Sequence, residues 1–249
     1  MVAVLGVDVG GSGIKGAPVN IETGELMADR FRLPTPVKAR PAEVAETIGK
    51  ITQHFDWKGP VGFGFPAVIQ HGVARTAANI DKSWINTNTE VLFSQATACP
   101  CFVLNDADAA GIAEMKFGVG RTNSRGTVIM ITIGTGLGTA IFVDGKLVPN
   151  LELGHLIIRG KDAETRATDA ARQEKKMSWG KWSKRLNEYL DYMERLFWPD
   201  LIVLGGGVSK VSDNFIPRLK LKTPVVPAQL LNNAGMVGAA LYAAERSNS

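Results

Sequence analysis

Val7-Asp8-Val9-Gly10-Gly11-Ser12-Gly13 and Ile131-Thr132-Ile133-Gly134-Thr135-Gly136-Leu137 are two versions of one phrase. In each, an alternating strand meets a glycine turn holding one hydroxyl residue, and a second strand-like run follows. That reads as two β-hairpins in equivalent places in two halves of the chain. A third strand, Leu201–Leu204, runs into Gly205-Gly206-Gly207. The expectation is an α/β protein with two lobes built from a duplicated unit, its hairpin tips on opposite walls of one cleft.

The rest of the chain agrees with that class. Its 249 residues suit one large domain or two compact lobes. With 45% hydrophobic and 21% charged residues, disorder and coiled coil are excluded. Strands are expected at Val2–Val9, Ile14–Asn20, Leu26–Leu33, Pro60–Phe65, Cys101–Leu104, Thr127–Ile133, Thr139–Val143, His155–Ile158 and Leu201–Leu204. Helices are expected at Pro41–Phe55, Thr89–Ala98, Ala107–Phe117, Ser178–Phe197 and Ala234–Glu245. The helix from Ser178 carries Trp182, Leu186, Tyr189, Met193, Leu196 and Phe197 at helical spacing. The expected lobes are residues 1–106 with the C-terminal helix segment 233–249, a small lobe, and residues 107–232, a large one. The C-terminal helix is expected to pack on the first lobe.

No basic leader precedes Val2-Ala3-Val4-Leu5, and the most apolar window, Val128 to Val143, is broken by three glycines. Neither a secretory leader nor a membrane span is expected. The two cysteines, Cys99 and Cys101, flank Pro100 and are expected as small apolar residues opening a buried strand. A reducing cytoplasm fits.

Gly11-Ser12-Gly13-Ile14-Lys15-Gly16 matches a dinucleotide fingerprint, but that fold needs a helix next, and Ala17-Pro18-Val19 reads as strand. No Gly-Lys pair precedes Ser or Thr, so a Walker A loop is absent. What survives is a turn whose backbone N–H groups can approach an anion because no Cβ stands in the way. An ordinary glycine turn is the bland alternative for either hairpin alone. Asp8 sits in an apolar strand and needs a partner if buried. Mg²⁺, held directly or through water, is one candidate.

Asn105-Asp106-Ala107-Asp108 follows a strand and opens a helix. Capping explains it simply. The same position, beyond a strand's carboxyl end, also suits a carboxylate that orients a substrate hydroxyl in phosphoryl transfer. Glu152-Leu153-Gly154-His155 lacks the second histidine of a zinc protease, but Glu and His together can accept and donate hydrogen bonds to vicinal hydroxyls. Gly62-Phe63-Gly64-Phe65-Pro66-Ala67 ends in a turn whose carbonyls could line the same pocket.

The whole chain carries a net charge of +4. The stretch from Lys161 to Arg185 alone holds eight basic side chains against four acidic ones. A solvated helix face is one reading and a polyanion track the other. No recognition motif or stacking platform supports nucleic acid.

Leu5-Gly6-Val7-Asp8-Val9-Gly10-Gly11-Ser12-Gly13-Ile14-Lys15-Gly16, Asn105-Asp106, Ile133-Gly134-Thr135-Gly136-Leu137-Gly138, Glu152-Leu153-Gly154-His155 and Leu204-Gly205-Gly206-Gly207-Val208-Ser209 together resemble the ROK family (repressor, open reading frame, kinase). The resemblance is collinear over essentially the whole chain. It implies an actin-like ATPase, ribonuclease H-like fold, a homodimer, and phosphorylation of a hexose at O6. It also implies Asp106 as catalytic base, with Asn105, Glu152, His155 and Glu164 on the sugar and Gly64 and Pro66 lining its pocket. Donor phosphates would lie on Gly10, Gly11, Ser12, Gly13 and Lys15, on Gly134, Thr135 and Gly136, and on Gly206 and Gly207, with Asp8 near Mg²⁺. Many members follow E-x-G-H with a cysteine-rich zinc motif. This chain has no cysteine after Cys101, so no zinc is expected. The basic segment from Lys161 stands there instead, as in the bacterial branch that uses polyphosphate, some members of which also accept ATP and mannose. The expected activity is therefore a Mg²⁺-dependent transfer from polyphosphate or ATP to O6 of glucose, with mannose as a further acceptor. An ATP-only kinase for another hexose and a non-catalytic sugar-responsive regulator are the alternatives. No partnership with nucleic acid or membrane is expected.

Overall fold

The computed structural model describes residues 2–78, 80–123 and 125–247. Met1, Asn248 and Ser249, the ends of the two expected segments of the first lobe, lie outside them. The chain divides into two compact units, one of Met1–Ala113 with Asn233–Ser249 and one of Glu114–Asn232.

The first unit holds β1 (Ala3–Val9), β2 (Ile14–Asn20), β3 (Phe31–Leu33), α1 (Pro41–His54) and β4 (Val61–Phe65). A two-residue pair follows, β5 (Ile69–Gln70) and β6 (Val73–Ala74), then α2 (Thr89–Thr97), β7 (Cys101–Asn105) and α3 (Asp106–Phe117). Its sheet runs β3-β2-β1-β4-β7, antiparallel through the hairpins and parallel from β1 to β4 to β7.

The second unit repeats this order as β10-β9-β8-β13-β14. Its members are β8 (Thr127–Ile133), β9 (Leu137–Val143), β10 (Lys146–Val148), β13 (Leu201–Gly205) and β14 (Val225–Pro227). Here too the hairpins are antiparallel, and β8, β13 and β14 are parallel. The duplicated unit inferred from the two glycine phrases is thus present as duplicated topology. Between β10 and β13 come β11 (Ile157–Ile158), β12 (Lys161–Asp162), α4 (Glu164–Ala167), α5 (Asp169–Glu174) and α6 (Trp179–Phe197).

Local chemistry accounts for most element ends. Pro41 starts α1 with Glu43 at its third position, and Val44, Ile48 and Ile51 form its buried stripe. Ser178 caps α6 by accepting from the Lys181 N–H, and Trp198 ends it in a left-handed turn before Pro199. Trp182, Leu186, Tyr189, Leu190 and Met193 are its buried face. Leu196, expected on that stripe, is 59% exposed, because it lies at the stripe's edge, while Phe197 beside it packs on the core.

Two expected elements differ. Leu26–Leu33 is strand only at Phe31–Leu33, with a lone bridge at Leu26, since Ala28, Asp29 and Arg30 are exposed with nothing to pair against. His155–Ile158 is a 3-10 turn at Leu153–His155 followed by the short β11. The first unit runs through Ala113 into α3, whose Ala109 clusters with Leu104 of β7 and Ala239 of the C-terminal helix. Cys99 and Cys101 are buried and unpaired, and burial pushes the Cys101 thiol up to about 11.

The C-terminal helix, α7 (Ala234–Ser247), lies against β1, β4 and β7. The approach is backbone to backbone. A Cβ at Gly6 would fall 2.0 Å from the Met236 carbonyl oxygen, one at Gly62 would fall 1.9 Å from that of Ala239, and one at Gly238 would fall 1.6 Å from that of Ala109. Gly238→Ala should therefore lower stability by about 3 kcal/mol or more through forced separation of α7 from α3. Denaturant midpoints of the variant and parent check this.

Candidate active site

In the first unit, β1 and β2 set Asp8 opposite Lys15, and Lys15 Nζ lies 2.9 Å from Asp8 Oδ2. Both side chains are about a fifth exposed, so the carboxylate that needed a partner has one on the neighbouring strand. The opening turn of α7 lies beside it: a Cβ at Gly235 would fall 3.0 Å from Asp8 Cγ. Negative charge at a helix N-terminus is favoured by the helix dipole.

The hairpin tip closes through Gly10 N–H donating to the Gly13 carbonyl at 3.1 Å. Arg32 donates to the Ser12 carbonyl at 2.7 Å, and the Thr35 hydroxyl donates to the Gly10 carbonyl. These two residues, which sequence reasoning missed, tie down carbonyl oxygens that would repel a phosphate. A hollow of about 270 Å³ beside the tip is lined by Gly10, Gly11, Thr35, Pro66, Asp81 and Trp84 among others.

Asn105 ends β7, paired with Phe65 of β4. Its Oδ1 accepts from the N–H groups of Ala107 at 2.8 Å and Asp108 at 3.2 Å, and its Nδ2 donates to the Ala67 carbonyl at 3.3 Å. The capping reading of Asn105 is therefore what the structure shows. The cap fixes the turn on which Asp106, the half-buried first residue of α3, stands. A Cβ at Gly64 would lie 3.6 Å from Asp106 Cα.

In the second unit the glycine tip and the Glu-Leu-Gly-His stretch form one cluster. Gly134 N–H donates to the Gly136 carbonyl at 3.0 Å, and Leu137 N–H donates to Glu164 Oε2 at 3.0 Å. A Cβ at Gly154 would fall 2.1 Å from the Leu137 carbonyl oxygen, so only glycine lets the stretch pass there. That approach turns the chain and replaces the strand expected at His155. The Gly206 turn backs onto Ile133, whose carbonyl oxygen would lie 2.4 Å from an added Cβ.

His155 stands between two carboxylates. Its Nδ1 is 2.8 Å from Asp162 Oδ2, and its Nε2 is 3.8 Å from Glu152 Oε2. The Asp162 bond pushes the imidazole above its ordinary value, with Glu164 and Glu152 adding to it. Burial holds the Glu152 carboxyl above its ordinary value; His155 opposes this shift and Glu164 adds to it. Asp162 was not singled out by the sequence, and its only signal was an acidic residue shortly after the motif. The pair Glu152–His155 offers an acceptor and a reversible donor, which vicinal hydroxyls can match.

Among the described residues, no group of three or more His, Cys, Asp and Glu is arranged to hold a metal ion. Asp8 alone suffices only for a cation that arrives with its own phosphate and water oxygens, as Mg²⁺ does.

Two five-stranded sheets of one topology, glycine hairpins, and an aspartate at a strand's carboxyl end define an actin-like α/β kinase fold. The sequence profile of the ROK family matches residues 4–167, and the chain belongs to that family. It is 48% identical over 238 residues to the polyphosphate glucokinase of Mycobacterium tuberculosis, covering 95% of this chain and 89% of that one. The solved inorganic polyphosphate/ATP-glucomannokinase from Arthrobacter sp. strain KM superposes with a TM-score of 0.95 at 47% identity, over 99% of this chain and all of that one. A ROK family glucokinase from Streptomyces griseus, solved with glucose and AMPPNP, has a TM-score of 0.82 at 23% identity, over 98% of this chain and 99% of that one, which supports the fold.

The His155 shift gives a pH prediction. The folded imidazole holds its proton more tightly than the unfolded one, whose value is about 6.5. Its stabilising contribution is complete below that value and fades as pH rises through the raised folded one. His155→Gln should flatten the stability profile in that window, as read by melting temperature against pH.

Proposed function

We propose that this protein transfers the terminal phosphoryl group of inorganic polyphosphate or ATP to O6 of glucose, with mannose as a second acceptor. The sugar O6–P bond forms, the bridging P–O bond breaks, the O6 proton passes to Asp106 and from there to solvent, and ADP or a polyphosphate shorter by one unit leaves. The observation that carries the phosphate assignment is the freedom around three glycines. A Cβ at Gly11, Gly134 or Gly207 would meet no neighbouring atom within 4 Å, and none of the three has a positive φ. The protein's own packing does not require glycine there, whereas a phosphate approaching backbone N–H groups does.

Asp106 accepts and orients the O6 hydroxyl. Its contribution is chiefly positional, because holding the hydroxyl in line with the donor phosphate supplies much of the acceleration. Asn105 holds that turn in place and keeps one amide hydrogen for a sugar hydroxyl. Glu152, His155 and Glu164 hold further sugar hydroxyls, and the Gly64–Pro66 turn lines the acceptor pocket. Gly10 to Gly13 with Lys15, Gly134 to Gly136, and Gly206 with Gly207 take the donor phosphates. Asp8 would hold Mg²⁺, directly or through water, with Lys15 as its neighbour. Bound to the donor, Mg²⁺ would neutralise phosphate oxygens as charge develops. A cytoplasmic homodimer completes the proposal. No helix among the described residues is long and apolar enough to cross a membrane.

Initial rates with polyphosphate and ATP against glucose, mannose, fructose and N-acetylhexosamines test this directly. Glucose should be phosphorylated with both donors, and preference for another sugar would sink the assignment. Asp106→Asn should lower kcat by about a hundredfold or more while the glucose Kd changes little. Gly134→Ala should leave the melting temperature level or slightly higher, yet raise the KM for the donor several-fold. An unchanged donor KM in that variant would remove the second hairpin from the phosphate site.

A further inference from the structure

Two hollows of about 580 Å³ each lie along the outer face of α6 in the second unit. The first opens where the start of α6 meets residues 216–220. Lys181 and Lys184 of the helix and Arg218 and Lys220 of the other segment line it, and no carboxylate does. Gly180 adds no side chain there, and a Cβ on it would lie 3.8 Å from Arg218 Nη1. The second hollow shares Lys184 and Asn187 with the first and continues along the helix towards Arg195. Glu188 there pairs with Arg159 and Arg166, and Asp191 pairs with Arg195. Among the described residues, Lys181, Lys184, Arg185, Arg218 and Lys220 make no ion pair.

A solvated helix face would explain lysines on α6 alone. It does not explain why a second segment brings two more cations to the same hollow without a carboxylate. Like charges gathered this way repel unless an anion lies among them. Contacts within this unit also tie the walls of the hollow to its glycine turns. Ala170 N–H donates to the Gly134 carbonyl at 3.2 Å, and two residues on, the Arg172 guanidinium sits 4.0 Å over the ring of Trp179, which opens α6. From the other side, the Gly205-Gly206-Gly207 turn runs through short 3-10 segments to Arg218. Both glycine turns of this unit are thus linked through short stretches of chain to segments that line the first hollow. Lys181 to Arg195 spans about 21 Å of helix.

We propose that this face is the track for the polyphosphate donor chain, its reactive end at the glycine turns and its following units against Lys181, Lys184, Arg218 and Lys220. The inference rests on the polyphosphate reading above and adds to it where the chain runs. A polymer with negative charge on every repeat matches a row of cations longer than a nucleotide's triphosphate. Nucleic acid is also a polyanion, but its bases call for stacking rings, and Tyr192 is the single aromatic residue lining either hollow.

The test is the triple variant Lys181→Gln, Lys184→Gln, Lys220→Gln, assayed with long-chain polyphosphate, tripolyphosphate and ATP. The KM for the long chain should rise about tenfold, and its dependence on salt should weaken as the cations that meet phosphate are removed. The KM values for ATP, tripolyphosphate and glucose should stay within about twofold, which also shows that the variant folds. Should the triple variant lose ATP turnover as well, Lys184→Gln and Lys220→Gln alone should each raise the long-chain KM about threefold. An unchanged long-chain KM in variants of a polyphosphate-using enzyme would place the chain elsewhere and leave the parent reading intact. A parent protein that consumes ATP and no polyphosphate would remove both. A single-stranded oligonucleotide that displaces polyphosphate from the parent, and loses its own binding in the variant, would assign the face to nucleic acid and overturn the track.

Discussion

The backbone of Leu137 anchors the candidate site cluster of the second unit. Its N–H is held by Glu164, and its carbonyl is approached so closely that only glycine fits at position 154. These two contacts bind the glycine tip, the Glu-Leu-Gly-His stretch and the start of α4 into one piece. Glu152 and His155 inherit their positions from it, since they flank the glycine that makes the approach. Asp162 then turns the imidazole, and the Thr139 hydroxyl bridges the Leu151 carbonyl and the Leu153 N–H, so the stretch is held at several points. Rigid support of this kind lets polar groups meet a ligand without first being ordered.

The first unit reaches a similar end by other means. Asn105 spends its side-chain oxygen on the first turn of α3, and Asp106 gains its place from that cap. Gly64 leaves room beside it. Asp8 and Lys15 neutralise each other near the hairpin, a partly exposed pair that contributes on the order of 1 kcal/mol or less to stability. Its value lies in keeping two charges beside a glycine tip whose carbonyls Arg32 and Thr35 already hold. A fold that repeats its topology has thus equipped the two copies differently, one with a carboxylate on a capped turn and one with a histidine between carboxylates.

Much of this was legible along the chain. Ile14–Asn20 and Thr127–Ile133 are strands over the ranges that alternation and glycine turns marked, because both periodicity and turn chemistry are local. The Asp144-Gly145 turn that launches β10 was equally local and was overlooked; both residues have positive φ, as a tight hairpin requires. Leu26–Leu33 and His155–Ile158 misled for a different reason. Apolar composition suggested strand, but one stretch leaves its partner strand over Ala28, Asp29 and Arg30, and the other was turned by the Leu137 contact. Nothing near those residues announces either fact.

Residue order alone determined the class: two repeated strand–glycine phrases set the duplicated α/β plan, and residue types marked the candidates for phosphate, sugar and hydroxyl contacts. It could do so because turns, caps and alternation act over a few positions. Tertiary structure decided which of those groups are already engaged, as Asn105 and Lys15 are, and which unannounced ones support them, as Asp162, Arg32 and Thr35 do. It also decided that Arg218 and Lys220 join the lysines of α6. Such pairings bring together atoms far apart in the chain, so their energies exist only once the backbone has closed around them.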